Sequence, residues 1–304
     1  MLTPLPQFDE PEPVKQSGSP SKILSDLRAL YPQFLLPVNE LIAVRWVRDY
    51  KWLGILLLGL FPLAVLALAQ FQQSLALVCL AIYFSVLWMF FFYQFFSFGE
   101  GNWKTALVCF VTTAVIVLVA ISLGLEHWRD AFIYSPNVLL EIFGELFTIA
   151  IPSYLCRIAV IFFLLRPGAT IPSVPAMVYY GLASGLAMGM IEALYWEFGN
   201  ISSDGTLASF YWTAVLRLTT LSFMQAIWTA LATFFFTMAR LYPFRRLGLW
   251  TAAVCFPLVL ETVHYSLPST LYWLDLVVNF FATFMLLTYL FRRAEFESVL
   301  VQGS

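Results

Sequence analysis

From residue 52 onward the chain alternates between long apolar runs and short polar breaks, and the runs are of membrane length. A helix rising 1.5 Å per residue needs about 20 apolar residues to cross a hydrocarbon core about 30 Å thick. The pattern predicts eight spans: Trp52–Ala69, Leu75–Phe96, Ala106–Leu125, Val138–Leu165, Pro175–Trp196, Phe210–Met238, Leu249–Tyr265 and Leu271–Phe291. The fourth and sixth exceed the usual span and are expected to tilt, bend or protrude. Pro152 is the expected hinge of the fourth, because proline removes a backbone donor and clashes with the preceding turn. The fold class is therefore all-α, a polytopic transmembrane helix bundle.

The segments around these runs read differently. Residues 1–21 are rich in Pro, Ser, Gly and Glu, a composition that buries too little surface to order itself, and are expected to form a disordered tail. Over residues 22–50 Ile23, Leu24, Leu27 and Leu30 recur at helical spacing beside Lys22, Asp26 and Arg28, which fits an amphipathic membrane-surface segment or a partner-docking element. The expected organisation continues with three transmembrane helices in 51–136, a five-helix core in 137–293 and a cytoplasmic tail, 294–304. Counting Lys and Arg orients the bundle, since positive loops stay in the cytoplasm. With the N-terminus inside, every inner loop carries a positive charge and the outside receives only Arg129. Both termini are then cytoplasmic, in a bacterial-type inner (plasma) membrane.

Composition agrees with the pattern. Hydrophobic residues make up 61% of the chain and charged residues 11%, against about 25% charged in an ordinary soluble domain. The expected surroundings are the lipid bilayer and other membrane proteins, with no nucleic-acid partner. Cys79, Cys109, Cys156 and Cys255 all lie inside apolar runs with no close pair among them, and read as small buried hydrophobes.

Candidate chemistry lies in the polar residues that the runs contain. An ionised side chain at the bilayer centre costs about 2.5–3.5 kcal/mol, so each one asks for a reason. The fourth span holds Glu141, Glu145 and Arg157, the fifth Glu192, the sixth Arg217 and Gln225, the seventh Glu261 and His264, and the eighth Asp275 and Asn279. By position along the spans, the acids and His264 fall toward the outer face, while Arg157 stands apart in the inner half. A polar layer of this kind suits a one-sided pocket better than a track for ions across the bilayer. Carboxylates with an imidazole in such a pocket can activate water by acid–base catalysis or by holding a metal. Gly181, Gly185 and Gly189 recur every four residues ahead of Glu192, which lets a backbone approach closely, either a neighbouring helix or a substrate. Arg217 reads as an internal counter-ion for a glutamate.

These residues resemble the PrsW family of intramembrane proteases, related to the CAAX prenyl-protease and bacteriocin-processing group. The resemblance covers residues 137 to 293. The run GLASGLAMGMIEALYW puts Glu192 in the family's glutamate position. In RLTTLSFMQAIWTAL, Arg217 matches the arginine and Gln225 stands where a histidine is expected, while LWTAAVCFPLVLETVHYS puts His264 in the second histidine position. In LLEIFGELFTIAIPSY, Glu145 matches the second of two glutamates, and Gly144 and Thr148 replace the first and the basic residue. The resemblance implies cleavage of a membrane-anchored protein near the outer face, with Glu145, Glu192 and His264 catalytic and Gln225, Arg217 and Glu261 in support. Gly181, Gly185 and Gly189 would line a substrate groove. A divalent metal such as zinc would take Glu192 and His264, with Gln225 a poor third ligand; a glutamate-base mechanism needs no metal. The replaced motif positions equally suit an inactive relative serving as a membrane scaffold, and a transporter is the remaining class.

Overall fold

The computed structural model describes residues 50–96, 100–123, 138–166, 172–200, 207–266 and 272–292. The expected tails 1–21 and 294–304, and the surface segment 22–50 apart from Tyr50, lie outside the described residues, as do the side chains of Glu141 and Asp275. The described chain is helical throughout. Its α-helices are α1 (Tyr50–Ala69), α2 (Gln73–Phe96), α3 (Trp103–Ser122), α4 (Val138–Glu145), α5 (Ile151–Leu164), α6 (Val174–Asn200), α7 (Leu207–Leu241), α8 (Arg246–Ser266) and α9 (Tyr272–Phe291). The chain divides into two compact units, Met1–Phe61 and Pro62–Ser304, and the helical bundle belongs to the second.

Among the described residues, six helical segments are long and apolar enough to cross a membrane: Gln73–Phe96, Trp103–Ser122, Ile142–Leu164, Val174–Gly199, Tyr211–Leu241 and Arg246–Ser266. The first and last of the eight expected spans fall on α1 and α9, helices of 20 residues each.

Pro152 does interrupt its helix, by widening it rather than by a sharp break. Leu146–Ala150 forms a π-helical turn between α4 and α5, closed by the Ile151 N–H donating to the Leu146 carbonyl five residues back. One extra residue in the turn absorbs the carbonyl that Pro152 cannot serve, and π turns of this kind gather at functional sites.

The interior of the bundle is a pair of helices. In its most apolar 18-residue window α6 is 100% buried and α7 94%, whereas α3 is 22% buried and exposes Val108, Val111, Val115 and Leu118 outward. In hydrocarbon the apolar surface gains nothing from burial against another apolar surface, so association rests on close packing and interhelical hydrogen bonds. The glycines of α6 supply the first. A Cβ on Gly181 would lie 2.8 Å from Thr233 Cβ, one on Gly185 2.7 Å from Ala226 Cα, and one on Gly189 2.6 Å from Ser222 Cα. Each successive glycine meets a point one turn earlier in α7, as two antiparallel helices require. On α7 the hydroxyls of Thr229, Thr233 and Thr237 fold back onto the carbonyls of Gln225, Thr229 and Thr233, each at 2.7 Å, so no donor is left facing the glycines.

Ser184 supplies hydrogen bonds from the opposite side of α6. Its hydroxyl donates to the Arg157 carbonyl at 2.5 Å, so Thr113 must donate to Ser184 across their 2.7 Å contact. One serine thereby holds α3 and α5 to the central pair. Gly185→Ala should destabilise the protein by about 1–3 kcal/mol, the usual cost of overpacking. Gly248→Ala, where a Cβ meets nothing within 4 Å, should be neutral or stabilising by up to about 1 kcal/mol. Melting of both variants in detergent checks the contrast.

Candidate functional site

Four helices bring polar side chains to one point in the interior. From α5 come Ser153 and Arg157, from α6 Glu192, from α7 Gln225, and from α8 Glu261 and Tyr265. Ser153 with Arg157, and Glu261 with Tyr265, are four residues apart, so each pair shares a helix face.

Arg157 is the hub. Its guanidinium pairs with Glu261 through Nη2 and also reaches Glu261 Oε1 from Nη1 at 3.3 Å, and both side chains are fully buried. Nη1 donates to the Gln225 side-chain oxygen as well. The rings of Tyr154 and Trp228 lie 5.7 and 5.9 Å from the guanidinium carbon, adding a cation–π contribution. Ser153 donates its hydroxyl to Glu261 Oε1. The expectation that Arg157 stands apart from the other polar residues is thus corrected. Helical side chains lean toward the N-terminus of their helix, and arginine is long, so the guanidinium reaches the carboxylate that Ser153, one turn earlier, also contacts.

Gln225 joins this buried pair to the second glutamate. Its amide nitrogen donates to Glu192 Oε2 at 3.0 Å, and lies 3.4 Å from Glu261 Oε1 and 3.3 Å from the Tyr265 hydroxyl. Tyr265 in turn donates to Glu192 Oε1. Both oxygens of Glu192 are therefore fixed, one by an amide and one by a phenol. Unlike Glu261, Glu192 faces open space: a cavity of about 80 Å³ lined by Glu192, Tyr265, Ser153, Cys156 and Thr148, with Val117, Ala120 and Ile121 of α3 opposite.

The remaining candidates fall around this centre. His264 packs edge-on to Trp228 and Tyr265, at centroid distances of 5.5 and 5.0 Å. Glu145 is buried, 4% exposed, at the end of α4 just before the π turn, and it is Thr148 and Ile149 of that turn that line the Glu192 cavity. Arg217 has the acidic partner expected of it, Glu197, at 2.6 Å, which commits it outside the Arg157 network. Gly181, Gly185 and Gly189 face α7, whose backbone fills the groove that they leave. Asn279 accepts from Trp228 Nε1 at 2.7 Å and ties α9 to the ring that covers Arg157.

A divalent ion fits these residues poorly. Glu261 is already committed to a guanidinium, Glu192 accepts from Tyr265 and Gln225, and among the described residues no three of His, Cys, Asp and Glu are grouped as a metal would need. Built-in positive charge takes the place that an ion would hold.

Two partners of the site, Ser153 and Tyr265, are missing from the sequence-based candidates, as is Glu197, the partner of Arg217 outside it. The signal for the first two is the four-residue spacing to Arg157 and Glu261. Removing one member of a buried pair strands the other charge. Arg157→Met should therefore destabilise the protein by about 3–5 kcal/mol, and the double variant Arg157→Met with Glu261→Met should recover most of that loss. Thermal unfolding of the three proteins in the same detergent measures the coupling. Comparison with protein-family models, with characterised proteins and with solved structures returns no match for this chain.

Proposed function

We propose that this chain is an intramembrane hydrolase that cleaves a membrane-anchored polypeptide, with Glu192 as the base that takes a proton from water. The observation that supports it is the difference between the two glutamates. Glu261 is sealed against Arg157, whereas Glu192 lines a cavity of about 80 Å³. By the same measure of volume a water needs roughly 10–15 Å³ and two to four polar partners. Glu192, Ser153 and Tyr265 offer such partners on one wall.

In this reading the water oxygen attacks the peptide carbonyl carbon and its proton passes to Glu192. As the carbon–nitrogen bond breaks, Glu192 returns the proton to the leaving nitrogen. At rest Tyr265 gives its one hydroxyl hydrogen to Glu192 and Ser153 gives its own to Glu261; once Glu192 has taken the proton from water, the Tyr265 hydroxyl can turn to donate to the oxyanion. No metal is used. The substrate class comes from the resemblance to PrsW proteases; the eight spans and cytoplasmic termini that complete the reading come from run length and the Lys and Arg count, in an inner membrane.

A second reading is an inactive relative that binds membrane proteins without cutting them. It is favoured by Gln225, which occupies the family's histidine position and has its oxygen engaged by Arg157 and its nitrogen by Glu192. Purified protein in liposomes with single-span reporter proteins separates the two. Under the hydrolase reading wild type releases fragments, and Glu192→Gln, which keeps the side-chain shape, lowers the rate at least about 100-fold. Identical fragments from both proteins, or none from either, would leave the scaffold reading standing.

A further inference from the structure

At the far ends of α5, α7 and α8 lies a second polar feature, independent of the Glu192 site. Arg166 follows α5, Arg240 sits in the last turn of α7, and Arg246 opens α8. All three line a cavity of about 250 Å³. It adjoins a second of about 470 Å³ that shares Arg246, Pro243 and Trp250 and adds Leu247. One aromatic ring from each helix builds the floor: Phe162, Phe236 and Trp250 contact one another pairwise at centroid distances of 4.8, 5.7 and 5.1 Å.

Two of the three arginines are braced by rings. Arg166 lies 4.8 Å from the Phe163 ring and Arg246 5.4 Å from the Trp250 ring. Among the described residues the ion pairs are Arg157–Glu261 and Arg217–Glu197, so none of these three cations has a carboxylate partner there. Stacking occupies the face of a guanidinium and leaves its N–H edge for a planar or tetrahedral anion. A general excess of Lys and Arg at one membrane face accounts for positive charge on this side, but not for three arginines lining one aromatic-floored cavity with no acid among its described lining residues.

We propose that this cavity binds the phosphodiester headgroup of an acidic phospholipid. Charge complementarity selects the anion. Lipid, rather than free phosphate, follows from the surroundings: the arginines stand at the ends of membrane-length helices, beside the apolar side chains Leu247 (83% exposed) and Phe163 (64% exposed), which offer an acyl chain a path down the bundle. Basic pockets between helix ends are suited to such headgroups, and each arginine near the surface contributes about 1 kcal/mol.

The test uses the full chain in nonionic detergent, titrated in parallel with mixed micelles of phosphatidylglycerol, with mixed micelles of phosphatidylcholine, and with inorganic phosphate. Phosphatidylglycerol should raise the melting temperature by about 2–4 °C per kcal/mol of binding, and native mass spectrometry should find one lipid retained. Arg166→Gln, Arg240→Gln and Arg246→Gln should each weaken binding about fivefold and the triple variant about 100-fold. Lys104→Gln, a positive charge elsewhere on the chain, should leave it unchanged. Equal stabilisation by phosphatidylcholine would overturn the proposal. So would saturation by inorganic phosphate alone, or a triple variant that binds phosphatidylglycerol like wild type. Should the triple variant fail to fold, the three wild-type titrations decide the matter by themselves.

Discussion

A guanidinium held inside a membrane bundle must find its acceptors within it, and the polar centre of this protein is organised around that constraint. Arg157 offers only donors, so the surrounding helices must supply acceptors at fixed positions. Glu261 does so with both oxygens and Gln225 with one. Once the Gln225 oxygen is turned toward Arg157, its amide nitrogen must point the other way, toward Glu192. The orientation of the cavity-facing glutamate is therefore set, through one amide, by a cation that does not touch it. This chain of consequences links α5, α7, α8 and α6 in turn, and it leaves little freedom for any one helix to rotate.

Such reach depends on how closely α6 and α7 approach. Gln225 bonds Glu192 on the neighbouring helix because Gly185 and Gly189 let the α7 backbone come within van der Waals distance of α6. The threonine hydroxyls along α7 point back into their own helix, so that interface carries no polar group in need of a partner. Close packing and the polar centre are one design: the first brings the helices into register, and the second makes any other register expensive. Ser184 extends the same logic to α3 and α5, spending its single donor on the Arg157 backbone carbonyl and accepting from Thr113.

The helices were legible because hydrophobic run length is a direct consequence of the solvent they occupy. The described helices begin and end within a few residues of the expected spans, and Pro152 was a visible irregularity. What it would produce was not visible, since a kink and a π turn answer the same missing donor and the choice is made by packing. The site was legible in part. Glu192, Gln225 and Glu261 are brought into hydrogen-bonding distance of one another, directly or through Tyr265. Position along the helix axis set Arg157 apart from its partners, because it locates a Cα while the guanidinium sits several ångströms away at the end of a leaning side chain. Motif matching directed attention to Glu145 and His264, while the network uses Ser153 and Tyr265 at the corresponding ends of α5 and α8.

The two glutamates near Arg157 then divide two tasks that a membrane interior sets against each other. A charged network needs a carboxylate that never leaves its partner, and Glu261 meets that need by being fully buried and committed on both oxygens. Proton transfer needs a carboxylate that is oriented but still reaches open space, and Glu192 meets that one, held by Gln225 and Tyr265 at the cavity wall. A single acid could not do both, since pairing with Arg157 would remove it from the cavity. A second glutamate, joined to the first through the Gln225 amide, therefore leaves one carboxylate for the ion pair and one for the cavity, which is the arrangement that the proposed hydrolase would use.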